Sequence, residues 1–169
     1  MPDTPSPPAP AAIHPEARIG HVHLKVADLD RALGFWRDVI GLEVQEIRAG
    51  QVAFLSAGGY HHHIALNTWE SAGGPPAPRG STGLYHVALL YPDRRALAEA
   101  LLRVLQASIP LEGASDHGVS EAIYLRDPDG NGVELYRDRP RIEWPRDGEG
   151  RLHMTNRRFD LQALLAELR

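Results

Sequence analysis

His21-Val22-His23-Leu24-Lys25-Val26-Ala27-Asp28 and His86-Val87-Ala88-Leu89-Leu90-Tyr91-Pro92-Asp93 are two versions of one opening, and their match decides the fold. Each starts on a histidine, sets apolar residues at alternate positions, and reaches an aspartate seven residues on. The offset from His21 to His86 is 65 residues, and Asp28 to Asp93 repeats it. Arg31-Ala32-Leu33 then returns as Arg95-Ala96-Leu97 with one residue deleted. Each copy therefore passes from an alternating strand through an Asp-bearing turn into a helix. A period this long, present twice, signals a duplicated module rather than a solenoid.

Outward from these openings the rest of each module follows. In the first helix Leu29, Leu33, Trp36 and Ile40 share a face, Asp28 or Asp30 can cap the start, and Gly41 can stop it. In the second, Leu97, Leu101, Val104 and Leu105 recur at helical spacing behind Asp93. Strands are expected at Leu42 to Ile47, Gln51 to Ser56 and His61 to Thr68 in the first module. The second should hold Ala122 to Leu125 and Val133 to Tyr136, joined by the turn Asp127-Pro128-Asp129-Gly130, with a further strand around Ile109 to Glu112. The chain reads as α+β, two βαβββ modules (17–70 and 83–140) forming a curved mixed sheet around one site. Residues 71–82, rich in Gly, Pro and Ala, form a linker, and the Pro/Ala-rich tail 1–16 is expected to be disordered. In the extension 141–169, Phe159 to Leu168 reads as an amphipathic helix with Asp160 near its start.

Composition narrows the function. The 169 residues are 43% hydrophobic and 24% charged, ordinary values for one soluble domain. A net charge of −4 speaks against nucleic acid or an anionic membrane as partner. There is no cysteine, so disulfides and zinc–thiolate sites are excluded. No apolar run approaches the ~20 residues of a membrane helix, and the N-terminus does not read as a signal peptide; a cytoplasmic location is expected.

The nine histidines carry the chemistry. If Val22 and Leu24 face the helix, His21 and His23 face the other way, and the same parity puts His86, Glu134 and Tyr136 on that face. A carboxylate and two imidazoles inside an apolar cup are costly unless they share a cation. Two His and one carboxylate suit non-haem iron(II), with positions left open for substrate and oxygen. On the residues alone two readings remain open, a metal site or ordinary solvated side chains.

The stretch His21 to Leu42, with His-Val-x-Leu-x-Val-x-Asp-Leu and Phe35-Trp36, resembles the vicinal oxygen chelate superfamily, as does Tyr124 to Leu135 (YLRDPDGNGVEL). That group contains glyoxalase I, extradiol dioxygenases, methylmalonyl epimerase, and fosfomycin and bleomycin resistance proteins. Gly58 to Trp69, Gly83 to Ala88, Asp116 to Leu125 and Asp138 to Trp144 are similar to catechol 2,3-dioxygenase-like proteins, and the match continues near Met154-Thr155. Those relatives are often longer, with two module pairs. The resemblance implies one divalent metal per chain on His21, His86 and Glu134, with Fe(II) first and Mn, Ni or Zn as alternatives. The fourth ligand position of glyoxalase I aligns with Ala65, which favours the oxygen-using branch. Extradiol enzymes carry a tyrosine ten residues before the glutamate ligand, here Tyr124. Their catalytic histidine aligns with His62, whereas strand parity favours His61 or His63, so both His62 and His63 are kept as base candidates. His23, Asp116 and His117 are expected to line the substrate.

The function so implied is extradiol cleavage of an aromatic diol by O2. The alternatives are an isomerase, epimerase or lyase, a metal-dependent group transferase, or a protein that sequesters a small molecule. The linker is long enough to close the cup within one chain, as extradiol domains do. It is also long enough for a swapped homodimer.

Overall fold

The computed structural model describes residues 12–169, and most of the Pro/Ala-rich tail lies outside them. In the first module β1 (Val22–Lys25) leads to α1 (Leu29–Trp36), β2 (Glu43–Arg48), β3 (Val52–Ser56) and β4 (Ile64–Asn67). The second module repeats the order with β5 (Val87–Tyr91), α2 (Arg94–Gln106), β6 (Leu111–Asp116), β7 (Ser120–Arg126) and β8 (Gly132–Asp138). A two-residue strand β9 (Arg157–Arg158) and the short helix α3 (Leu161–Leu165) form the extension.

The architecture is the expected α+β pair of βαβββ modules, with its curved surface divided into two mixed sheets. The first has the order β1-β4-β3-β2 and the second β5-β8-β7-β6-β9. In each, the opening strand lies parallel to the last, β1 on β4 and β5 on β8, and the remaining pairs are antiparallel. Parallel neighbours cannot be joined by a tight turn, so each module needs its helix as a crossover.

Both helices begin as the aspartates foretell. Asp28 accepts from the Arg31 amide at 2.9 Å and Asp93 from the Ala96 amide at 2.8 Å. Each such cap contributes about 1 kcal/mol. Helix α1 buries Leu29, Ala32, Leu33, Phe35 and Trp36, and the chain then turns at Gly41 with φ +91°, a left-handed value that glycine adopts without steric cost.

The modules share one core, with Trp36 and Leu55 of the first among Leu97, Leu101, Ile123 and Leu135 of the second. Polar clips cross the seam. The Trp36 indole N–H donates to the buried Asp127 carboxylate at 3.4 Å, and the Ala27 amide to Asp129 at 2.8 Å. Arg31 pairs with Asp129 at 2.6 Å, and Arg103 donates to the Val39 and Ile40 carbonyls at 3.2 and 3.0 Å. The expected turn Asp127 to Gly130 is thus also a joint between modules.

Three elements differ in extent from the sequence expectation. Strand β4 starts at Ile64 rather than His61, because pairing with β3 begins at Leu55 opposite Ile64. Strand β6 extends to Asp116, where it finds β9 as a partner. The C-terminal helix is a single α turn capped by Asp160 and continued as a 3-10 turn, and it buries Leu164. No helix among the described residues is long and apolar enough to cross a membrane.

Candidate active site

The second module supplies a compact polar group. Glu134 on β8 stands opposite Tyr124 on β7, and beside Ala88 on β5. His86, the residue before β5, brings Nε2 to 2.8 Å from Glu134 Oε2. A neutral imidazole that donates Nε2–H to this carboxylate keeps its electron pair on Nδ1, and that atom is buried without a partner. The backbone around His86 is held by a close approach. A Cβ on Gly132 would stand 2.0 Å from the Tyr85 carbonyl oxygen and 3.0 Å from His86 Cβ, so only glycine fits there.

Behind Glu134 runs a short hydrogen-bonded chain. Tyr124 OH lies 3.3 Å from Glu134 Oε1 and 2.6 Å from His117 Nε2, and His117 Nδ1 lies 3.0 Å from the Thr155 carbonyl. A carbonyl can only accept, so Nδ1 carries a proton. When His117 is neutral, Nε2 accepts from the Tyr124 hydroxyl; when it is protonated the bond reverses and the phenol is free to donate to Glu134. Burial, and then the Glu134 carboxylate, push the Tyr124 phenol up to about 12.

The first module groups imidazoles with aromatic rings. The His21 and His62 rings lie 4.3 Å apart, and His62 meets Phe54 edge-on at 5.1 Å. His23 stands edge-on to Trp69 at 5.4 Å. Burial, followed by the neighbouring imidazoles with His21 foremost, pushes the His62 pKa down, so its neutral form is favoured. His23 is lowered in the same way, by burial and then His21. Ala65, fully buried, sits opposite Phe54 and beside His23.

The two base candidates separate. His62 is the one beside His21, while His63 accepts from the Ala57 amide at 3.3 Å and stacks on Tyr60 at 4.7 Å. Parity could not place His61 to His63 because they precede the ladder. Of the expected substrate-lining residues, His117 reaches Tyr124, His23 stands on the Phe54 side, and Asp116 is engaged elsewhere. It pairs with Arg139 at 2.7 Å, accepts from the Gly118 amide at 2.8 Å, and faces a cleft with Glu143, Thr155 and Arg157.

The structure therefore brings His86, Glu134, Tyr124 and His117 together, and separately His21 with His62. Among the described residues no group of three or more His, Asp or Glu side chains is placed to hold a metal ion. His86 Nε2 and Glu134 Oε2, 2.8 Å apart, fit a divalent cation in donor chemistry and spacing. Sequence reasoning missed Gly132 and Phe54. The signal for the first was a glycine at the start of the strand that carries Glu134.

Paired βαβββ modules, each with its opening strand parallel to its last, define a fold of the glyoxalase type. The chain belongs to the glyoxalase/bleomycin resistance protein/dioxygenase superfamily, whose pattern matches residues 18–135. It is 44% identical over 156 residues to the catechol-2,3-dioxygenase of Bacillus subtilis (strain 168), covering 92% of this chain and 54% of that one. It is 31% identical over 121 residues to biphenyl-2,3-diol 1,2-dioxygenase 3 of Rhodococcus globerulus, covering 72% and 63% respectively. The chain thus spans about half to two thirds of the length of these relatives. Among solved structures, a glyoxalase/dioxygenase from Nostoc punctiforme matches with a TM-score of 0.63 at 22% identity, over 78% of this chain and 99% of that one. A lactoylglutathione lyase from Agrobacterium tumefaciens matches with a TM-score of 0.57 at 29% identity, over 73% and 96%.

Proposed function

We propose that the protein is an extradiol ring-cleaving dioxygenase acting on a catechol-type substrate, with a divalent metal on His21, His86 and Glu134. The observation that carries this reading is Ala65, buried under Phe54 where a fourth protein ligand would stand. A methyl group cannot coordinate, so a bound metal keeps more positions open for small molecules. The similarity to dioxygenases of catechol and biphenyl-diol supports the same branch.

When bound, the metal supplies open positions for the diol and dioxygen and a path for electrons between them. The protein's own residues do the rest. His62, neutral because burial and its imidazole neighbours disfavour charge, accepts the proton that the diol loses on binding. Tyr124 remains a phenol and presents an O–H to the substrate oxygen beside Glu134. His117 holds that oxygen from behind by donating Nε2–H to it, its ring oriented by the Thr155 carbonyl. Phe54, against His62 and His23, provides apolar surface for the aromatic ring. The ring bond next to the diol breaks, and both oxygen atoms of O2 enter the product.

Anaerobic loading with iron(II), followed by oxygen uptake with a panel of catechols, tests this. The expected result is stoichiometric oxygen consumption with a yellow ring-opened product. His62→Gln should slow turnover by roughly 10²–10⁴-fold, the usual scale of lost acid–base catalysis, with metal retained. An iron-loaded, folded protein that consumes no oxygen yet isomerises a thiol adduct would move the function to the isomerase branch.

A further inference from the structure

The superfamily pattern ends at residue 135, and the chain runs on past β8 into an extension that doubles back over the second module. The Trp144 indole starts the return by donating to the Arg139 carbonyl at 2.8 Å. Residues 145–153 then fold on themselves, with Arg146 bridged to Leu152 and the His153 amide donating to the Pro145 carbonyl at 2.9 Å. The base of this hairpin lies on the β6–β7 turn. The Thr155 amide donates to the His117 carbonyl at 2.8 Å, the Ser115 hydroxyl donates to the Asn156 side chain at 2.8 Å, and β9 pairs with Ser115 and Asp116. The contact is flush at Gly118, where a Cβ would stand 2.8 Å from Pro145 Cγ and 3.1 Å from Thr155 Oγ1.

One residue thereby grips His117 twice. The Thr155 amide holds the His117 backbone, and the Thr155 carbonyl, 3.0 Å from Nδ1, holds its ring. A bond to one ring nitrogen decides what the other can do. With Nδ1–H given to a carbonyl, Nε2 is left to meet the Tyr124 oxygen at 2.6 Å, whichever of the two atoms supplies the proton. Without that carbonyl the ring would be free to turn about its side-chain bonds and to carry a single proton on either nitrogen. Tyr124 is thus held from outside the strand that carries it, by a segment beyond the superfamily pattern.

We infer that the extension is a working part of the active site: the strap from Trp144 to Arg158 fixes the His117 ring against Tyr124, and Gly118 is the positioning residue on which it docks. This rests on the role of Tyr124 proposed above, so the strap is read first by a signal that needs no turnover. In protein carrying isotopically labelled histidine, NMR should show a His117 ring Nδ1–H resonance slow to exchange with water, assigned by its loss in His117→Gln. Gly118→Ala pushes a methyl group into the Pro145 ring. That resonance should then disappear, and kcat with a catechol should fall roughly 10–100-fold, the scale of one hydrogen bond to a charged group. Gly118→Ala/Pro145→Ala keeps the left-handed backbone at residue 118, φ +74°, with its strain, but removes the obstructing ring carbons, and should restore both readings. Thr155→Pro deletes the amide bond to the His117 carbonyl and leaves Gly118 in place. It should lose both readings again, and it serves where Gly118→Ala does not fold. A wild-type resonance and kcat in Gly118→Ala or in Thr155→Pro would overturn the strap. A loss that Pro145→Ala fails to restore would do the same, since backbone strain at residue 118 would then be its cause. The expected resonances in a wild type that cleaves no catechol would leave the strap standing and remove the reaction proposed above.

Discussion

The two modules repeat one order and pairing of strands and diverge in chemistry. In the first, Phe54 lies opposite Ala65, which lies beside His23; in the second, Tyr124 lies opposite Glu134, which lies beside Ala88. The position of every pair is conserved and every pair is altered. The likeness extends to details such as the capping aspartates and the ladder irregularity in the strand after each helix, at Val44/Glu46 and Leu111/Gly113. One module thus keeps the acid and the phenol, and the other keeps an apolar floor flanked by imidazoles. The helices divide labour as well. By the repeat, Trp36 corresponds to Ala100, and only the tryptophan reaches across to the other module. Duplication supplied two equal scaffolds, and the site depends on their having become unequal.

The sharpest way to break the comparison is to make the second module resemble the first. Glu134→Ala puts the residue of position 65 at position 134. It should cost more than the roughly 10–100-fold in metal affinity that losing a partner of a metal ligand costs, and turnover should vanish with the metal. Equal metal content in variant and wild type, by elemental analysis, would show that Glu134 is no ligand.

Trp36→Ala erases the inequality of the helices. The fully buried indole leaves a cavity, and Asp127 loses a donor, so stability should fall by about 3–5 kcal/mol in thermal or urea unfolding. A loss under about 1 kcal/mol would mean that the joint between modules lies elsewhere.

Tyr124→Phe copies Phe54 into the second module. Losing one hydrogen bond to a charged group should slow ring cleavage by roughly 10–100-fold. Fold and metal content should be unchanged, as checked by circular dichroism and metal analysis.

The smallest effect is on pH dependence. The folded-state pKa of Tyr124, about 12, lies above the ordinary tyrosine value of 10.0. Its contribution is complete below pH 10 and is lost as pH rises from 10 toward 12, because the unfolded chain ionises first. Melting temperatures at pH 9 and pH 11 should converge more in Tyr124→Phe than in wild type.

What could be read from residues follows from how local each signal is. Asp28 and Asp93 announce their helices because a cap bond spans three residues. The pairing of Glu134 with Tyr124 was legible because alternation settles which face of a sheet a side chain takes. His61 to His63 defeated the same rule, since alternation was counted through residues that precede the first paired position of β4. The grouping of His21 with His62, and of His86 with Glu134, was not legible at all. Parity orders side chains within one sheet and says nothing of how two sheets meet. That relation is set by Asp127 and Asp129, whose partners Trp36, Ala27 and Arg31 lie 91 to 102 residues away in sequence. Asp116 illustrates a similar limit. Its partner Arg139 lies just past the end of β8, so an aspartate expected to line the substrate is instead half of an ion pair.

The separation of 102 residues between Ala27 and Asp129 has a consequence for synthesis. A ribosome adding roughly 5–20 residues per second needs on the order of 5–20 s to travel from one to the other. Throughout that interval the first module is outside the tunnel or entering it with the Trp36 indole and the Ala27 amide lacking their partners. Its helix can form early on the Asp28 cap, but its inner face stays open until the β7–β8 turn emerges. The nascent chain thus carries an unsealed tryptophan until that turn follows it out, and the module made first waits on the one made second.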